Sequence, residues 1–312
     1  MSRRLKLGTT VWSRDALGCA DRLCKQAEAA ESLGFDSFWL PENHFGTRSA
    51  IPAPLMLLAA VAGRTQSIRL GCTSYLLPIR HPLLAAEEVA VLDQLCGGRL
   101  VLGLGRGVAA AMFKVFGVAA SDKRKLFQAN LELMRRAWRG EPVNYDDHGQ
   151  PIYLAPLPLQ QPSPPLWVAA FGPLALQQVA GLGLPYLASP LETLAVLEAN
   201  YERYHAAVAA AGQSAVTTIP VMRSVFVTED AALAGRVRSA LADTVHTAVL
   251  KTAADAEEWA IVGDRQYAKD KLREYCERLN LSHLIVRAGF SGVSEAQQLS
   301  SHESLLALVD DF

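Results

Sequence analysis

Residues 68–107 read IRLGCTSYLLPIRHPLLAAEEVAVLDQLCGGRLVLGLGRG, and the reading of this stretch decides the fold. The short apolar run Ile68–Thr73 predicts a strand, Pro82–Leu95 a helix, and Arg99–Gly103 the next strand. Pro82 suits a first helical turn, where its missing N–H would have no partner in any case. A strand, a helix and another strand in such close succession form a crossover unit, which joins parallel strands.

The unit repeats on both sides. Upstream, Leu5–Thr9 predicts a strand, Asp15–Leu33 a helix closed by Gly34, Ser37–Leu40 a strand and Pro54–Arg64 a helix. Downstream, Ser121–Trp138 predicts a helix with Phe127, Leu131, Met134 and Trp138 on one face. Leu166–Ala169, Leu184–Ala188, Ile219–Val227 and His283–Arg287 predict further strands. The helices between and after them are Pro173–Leu182, Leu191–Ala211, Asp230–Ala242, Asp264–Leu279 and Ser294–Val309. Eight strands alternating with helices in a chain of 312 residues favour an eight-stranded parallel β/α (TIM) barrel, one domain over residues 1–312. Gly140–Pro165 carries too many prolines for a continuous helix or central strand, so it is expected as an ordered loop near the barrel mouth.

Composition narrows the function. Thirty basic residues against 31 acidic ones leave a formal net charge of -1, with no cationic excess of the kind nucleic acid demands. Ile51–Val61 is too short an apolar run to span a bilayer, and the basic N-terminus lacks an apolar signal segment, so a cytoplasmic location is expected. The five cysteines form no CxxC pair and read as reduced thiols; the seven histidines show no HxxxH spacing, so no metal site is expected.

Three glycine- or histidine-bearing turns follow predicted strands, at the end where barrels carry chemistry. Gly103-Leu-Gly-Arg-Gly107 is neither a dinucleotide fingerprint nor a P-loop, since Val108 stands where the third glycine would fall and no Lys-Ser/Thr pair follows. Arg106 could fork onto a phosphate or carboxylate, or simply be solvated at a turn. Phe171-Gly-Pro-Leu174 opens a helix whose free backbone N–H groups suit an anion, unless it is an ordinary strand-to-helix turn. In Glu42-Asn-His-Phe45, His44 could serve as acid, base or donor, or be structural. Glu87 and Glu88 lie mid-helix with no evident partner, and Thr73-Ser74-Tyr75 places small hydroxyl residues where a flat ligand could lie on the backbone.

Taken in order, these segments resemble the bacterial luciferase-like monooxygenases. The similarity runs through Leu33–Phe45, Ile68–Pro78 with Arg80-His-Pro82, Leu92–Arg99, Gly103–Gly107, Phe113–Gly117, Gly181–Pro185 and Val262-Gly-Asp264, nearly the whole chain. The resemblance implies a TIM barrel, dimeric through its early helices, that binds reduced FMN noncovalently. It implies that Arg106 grips the phosphate, with Phe171, Gly172 and Pro173 forming the second phosphate turn. It also implies a non-proline cis peptide at Thr73–Ser74 beneath the isoalloxazine, with Val108 and Ser189 near the ring. A separate reductase would supply the reduced FMN. Molecular oxygen would then form a flavin hydroperoxide that oxidises a small organic substrate, with Asn43 and His44 steadying it or moving a proton.

The chain departs from the luciferases at Asn43, where they carry their catalytic histidine. It departs again at Phe171, Gly172 and Ala175, where they have acidic and hydroxyl groups, and at Pro190, where they have tryptophan. Two rival readings remain: hydride transfer with a deazaflavin, and non-catalytic flavin binding. The Gly140–Pro165 loop and the segment after the seventh strand are the expected covers of the mouth.

Overall fold

Leu100–Gly105 is buried along its whole length. A strand covered on both faces needs no polar alternation, which is why Leu-Val-Leu-Gly-Leu-Gly is an unbroken apolar run and why its neighbours are parallel. The computed structural model describes residues 4–13, 20–45, 50–245 and 255–309. The first part of the chain gives β1 (Lys6–Thr10), α1 (Ala20–Leu33), β2 (Ser37–Leu40), α2 (Pro54–Ala62), β3 (Arg69–Leu76), α3 (Pro82–Leu95) and β4 (Leu100–Gly105). Next come α4 (Ala110–Val115), α5 (Lys123–Trp138), the pair β5 (Asn144–Tyr145) and β6 (Pro151–Ile152), β7 (Leu166–Ala169), α6 (Pro173–Gly181) and β8 (Tyr186–Leu187). The last part holds α7 (Leu194–Ala210), β9 (Pro220–Val227), α8 (Ala231–Val245), α9 (Ala256–Trp259), β10 (Ala260–Gly263), α10 (Arg265–Leu279), β11 (His283–Arg287) and α11 (Glu295–Val309).

The chain divides into two compact units, one holding residues 40–169 with 17–24, the other 1–16, 25–39 and 170–312. In the first, β4 pairs in parallel with β3 (Leu70 opposite Leu100) and with β7 (Leu102 opposite Leu166). Helix α5 buries Phe127, Leu131, Met134 and Trp138 completely, as its spacing predicts. Each such Leu, Met or Phe contributes about 1.5–3 kcal/mol relative to an exposed side chain. The Trp138 indole donates to Ala86 O at 3.1 Å, tying α5 to α3. The Arg99 guanidinium donates to the carbonyls of Ala62, Thr65, Ile68 and Cys96, so the Leu92–Arg99 signature is a backbone staple. In the second unit, β9 pairs in parallel with β10 and β11, β11 with β1, and β1 with β2. A parallel bridge between Ala188 and Val221 sets β8 beside β9.

Two sequence expectations need correction. The Pro-rich segment is not at the mouth. Gln160 N donates to Asp93 Oδ2 at 2.8 Å, its Nε2 to Leu100 O at 2.9 Å, and Arg69 Nη2 donates to Gln160 Oε1 at 3.1 Å. Arg69 and Leu100 begin β3 and β4, so this segment closes the N-terminal ends of those strands. A helix-to-strand connection must start there, and the reactive end lies at the opposite tip. The segment also folds back on itself through the antiparallel pair β5 and β6. Secondly, the sequence reading lacks α9 and β10, because β10 starts at Ala260 directly after α9 ends at Trp259, with no turn residue to mark either boundary. The expected start of α1 before Ala20, and the part of the segment after the seventh strand at residues 246–254, lie outside the described residues.

Candidate active site

Just beyond β2, the Glu42 carboxylate is completely buried and serves three donors. His44 Nε2 lies 2.6 Å and Arg80 Nη1 2.7 Å from Oε1, while Leu76 N donates to Oε2 at 3.0 Å. Because Oε1 can only accept, the geometry puts the His44 proton on Nε2. The His44 ring is backed edge-on by Phe116, with centroids 5.0 Å apart. Arg80 stacks over the Tyr75 ring at 3.9 Å, and the Tyr75 hydroxyl donates to Glu88 Oε2 at 2.7 Å. Glu88 therefore has a buried partner after all, and burial together with this carboxylate pushes the Tyr75 hydroxyl well above its ordinary range. Asn43 does something different from His44. Its Oδ1 accepts Ile51 N and its own N–H donates to Ile51 O, pinching the base of the loop between them.

The peptide bond between Thr73 and Ser74 is cis. Thr73 Oγ1 is buried with no hydrogen-bonding partner among the described residues. A Cβ at Gly105 would sit 2.1 Å from Ser74 Oγ, so only glycine lets β4 pass here. An orphaned hydroxyl over a glycine-lined stretch is the environment a flat polar heterocycle would complete.

One residue further, Arg106 is 8% exposed, donates from Nη2 to Ala169 O at 2.8 Å and lies 5.8 Å from the Phe127 ring centre. Burial first, and the like charge of Arg124 second, pull its guanidinium below the ordinary arginine range. Lys123 Nζ approaches Gly107 O at 3.5 Å. Three cations gathered around a glycine turn favour an anion. Val108 beside them is exposed.

In the second unit Gly172 is the N-cap of α6 with φ 74°, a conformation that favours glycine. Pro173 follows without an N–H, and Ala175 N already bonds Gly172 O, so the donors left at this turn are few. Phe171 and Leu174 are exposed beside it. Ser189, at the exit of β8, is locked rather than open. Its N–H donates to Glu192 Oε2, its Oγ accepts Leu191 N, and its carbonyl accepts Arg223 Nη1 at 2.7 Å. Arg223 is fully buried and also donates to Glu192 O and to the Tyr275 hydroxyl. Burial holds the Glu192 carboxyl above its usual range.

Sequence reading thus named Asn43, His44, Thr73, Ser74, Arg106 and Val108, which belong to one unit, and Phe171, Gly172, Pro173 and Ser189, which belong to the other. It passed over Glu42 and Arg80, although both lay inside quoted motifs. A carboxylate two residues before His44 was the available signal. It had no signal for Arg223 or for His302.

His302 is buried against Trp12 and Phe35, accepting from Gln298 Nε2 at 3.1 Å on its own Nε2. Burial lowers its pKa from 6.5 to about 4. The unfolded chain therefore binds the proton first, so this group's stabilisation is complete above pH 6.5 and is lost as pH falls towards 4. The expected loss is about 3 kcal/mol, at 1.36 kcal/mol per pKa unit. Thermal melts between pH 7 and 4 should show it, and His302→Leu should flatten that slope; parallel slopes for both proteins would refute it.

A model of the family described as luciferase-like monooxygenase matches residues 7–298. The oxygenase component of the flavin-dependent trigonelline monooxygenase of Acinetobacter baylyi is 30% identical over 160 residues, 49% of this chain and 44% of that protein. The chain spans about half the length of the curated relatives it matches, or less. The oxygenating constituent of 3,6-diketocamphane monooxygenase from a Pseudomonas putida plasmid, solved with FMN, superposes with TM-score 0.80 at 20% identity, covering 98% of this chain and 97% of that one. The coenzyme F420 dependent tetrahydromethanopterin reductase of Methanopyrus kandleri shares the fold too, with TM-score 0.74, 17% identity and 99% coverage of both chains. With the family model spanning nearly its whole length, the chain belongs to the luciferase-like monooxygenase family.

Proposed function

We propose that the chain is the oxygenase of a two-component system, taking reduced FMN from a separate reductase and using molecular oxygen to oxidise a small organic substrate. The observation that carries this reading is the buried Arg106, with Arg124 and Lys123 beside it, at the exit of β4. These residues would hold the FMN phosphate, and Thr73 and Ser74 would face the ring with Val108 beside them. Bound reduced FMN supplies the electrons that activate oxygen. The protein orients the substrate, excludes water and moves a proton through His44 Nδ1, while Glu42 fixes the ring. Asn43 shapes the loop that carries His44. The frame of this reading is a single domain built as an eight-stranded β/α barrel.

Substrate-dependent oxygen uptake with reduced FMN, across ketones, aldehydes and N-heterocycles, tests the activity; uptake that never depends on substrate would leave only flavin binding. The fold shared with an F420-dependent reductase favours one second reading, hydride transfer with a deazaflavin. Tight deazaflavin binding without affinity for reduced FMN would decide for it.

A second copy of the chain is the expected occupant of the groove of about 320 Å³ between α2 and α3. Met56, Val91 and Leu95 are exposed around it, and Leu84 extends the exposed stripe of Val91 and Leu95 along α3. Leu95→Glu should convert the dimer to a monomer in sedimentation; a wild-type monomer would rule the dimer out.

A further inference from the structure

Tyr75 is 1% exposed, and nothing in the proposed reaction uses it. Strand β3 carries a bulge at this point: Thr73 lies opposite Gly103 and Tyr75 opposite Leu104, so Ser74 is the extra residue. The bulge brings Tyr75, rather than Ser74, beside Leu104, and bulges near reactive sites re-aim side chains in this way. Here it presents an aromatic face to Arg80, whose guanidinium carbon stands 3.9 Å from the ring centre. Arg80 Nη1 is committed twice, to Glu42 Oε1 at 2.7 Å and to Leu76 O at 2.9 Å. A planar guanidinium stacked on a ring loses the rotation that would swing Nη1 away from those acceptors.

The phenol is anchored in turn. Its hydroxyl donates to Glu88 Oε2 at 2.7 Å, and burial above all keeps that hydroxyl protonated and therefore a donor. Glu88 is exposed on α3, so a carboxylate at the surface holds a ring in the interior. Glu88, Tyr75, Arg80, Glu42 and His44 thus follow one another in contact, all within the first unit. We propose that Tyr75 is a positioning residue for His44: its ring holds Arg80 flat against Glu42, Glu42 thereby keeps the His44 ring in one orientation, and Glu88 is the outer anchor. The inference rests on the reading that His44 moves a proton, a task for which a ring free to turn would lose its alignment. A Tyr75 kept only for its bulk would be replaceable by leucine with His44 undisturbed.

The test is NMR of the flavin-free full chain with isotope-labelled histidine, the His44 signals being assigned by their loss in His44→Gln. In the wild type the His44 Nε2–H should be protected from exchange, since it faces the buried Glu42 carboxylate at 2.6 Å. Tyr75→Leu removes the stacking face, and exchange of that proton should accelerate about ten-fold. Tyr75→Phe keeps the face and loses only the bond to Glu88, so exchange should rise only about three-fold. Glu88→Gln, whose amide oxygen still accepts from Tyr75, should rise no further than Tyr75→Phe. Backbone amide exchange along β4, read in the same samples, should change less than the His44 signal, which separates loosening of the ring from loosening of the fold. Equal Nε2–H exchange in wild type and Tyr75→Leu, no protected Nε2–H in the wild type, or β4 amides accelerating in step with it overturns the proposal. Should Tyr75→Leu not fold, Tyr75→Phe decides by the same comparison. Because no flavin is present, an unchanged His44 signal leaves the oxygenase reading untouched, and failure of oxygen uptake leaves the positioning of His44 by Tyr75 untouched.

Discussion

Arg106→Ala is expected to weaken binding of reduced FMN by about two orders of magnitude, measured by anaerobic fluorescence titration. The guanidinium is largely buried and sits beside a second cation, and both circumstances disfavour its charge until an anion arrives. A charge-assisted hydrogen bond of this kind is worth about 1.5–3 kcal/mol, or roughly 10- to 150-fold in affinity. The variant also loses the bond to Ala169 O, so Arg106→Lys is the companion. Lysine keeps the charge but not the fork, and should recover part of the affinity. Riboflavin, which lacks the phosphate, should bind wild type and Arg106→Ala alike. Unchanged FMN affinity in Arg106→Ala would remove the phosphate assignment.

Glu42→Ala should destabilise the protein by about 3–5 kcal/mol, because it leaves three polar partners, His44, Arg80 and Leu76 N, facing a buried hole. Arg80 would keep its cation without the carboxylate 2.7 Å away, and Leu76 N would lose its acceptor. Glu42→Gln is gentler, since an amide oxygen can still accept from Leu76 N or His44. What it cannot do is neutralise Arg80. Denaturant unfolding of the two variants separates the charge contribution from the hydrogen-bond contribution. A loss under 1 kcal/mol in Glu42→Ala would mean that the cluster relaxes to water and holds nothing in place.

The two results concern groups that were unequally visible in the sequence. Arg106 stood out because it is a lone cation between glycines, directly after an apolar run, at the end of a strand where a barrel carries its chemistry. Glu42 sat in a quoted motif and was still overlooked, for its importance comes from Arg80 and Leu76, which are more than thirty residues away in the chain. The alternation of strands and helices was legible because burial on both faces leaves unmistakable runs such as Leu100–Gly105. The strand β10 was not, since it follows α9 directly, Trp259 to Ala260, with no turn residue to separate them. The Arg223 network shows the harder limit. Its donors end on backbone carbonyls of Ser189, Met222 and Glu192, and any residue type supplies a carbonyl. No reading of side-chain identity could have found it.

The placement of the Pro-rich segment has a practical side. Gln160 clasps Asp93 and Leu100 at the far end of β4 from Arg106, and the tip around Gly149 lies in an exposed turn beyond that clasp. The chain therefore offers a handle on its inert pole. A fluorophore, an affinity tag or a tether to a reductase could be inserted at that tip while the opposite ends of the same strands went on with their chemistry.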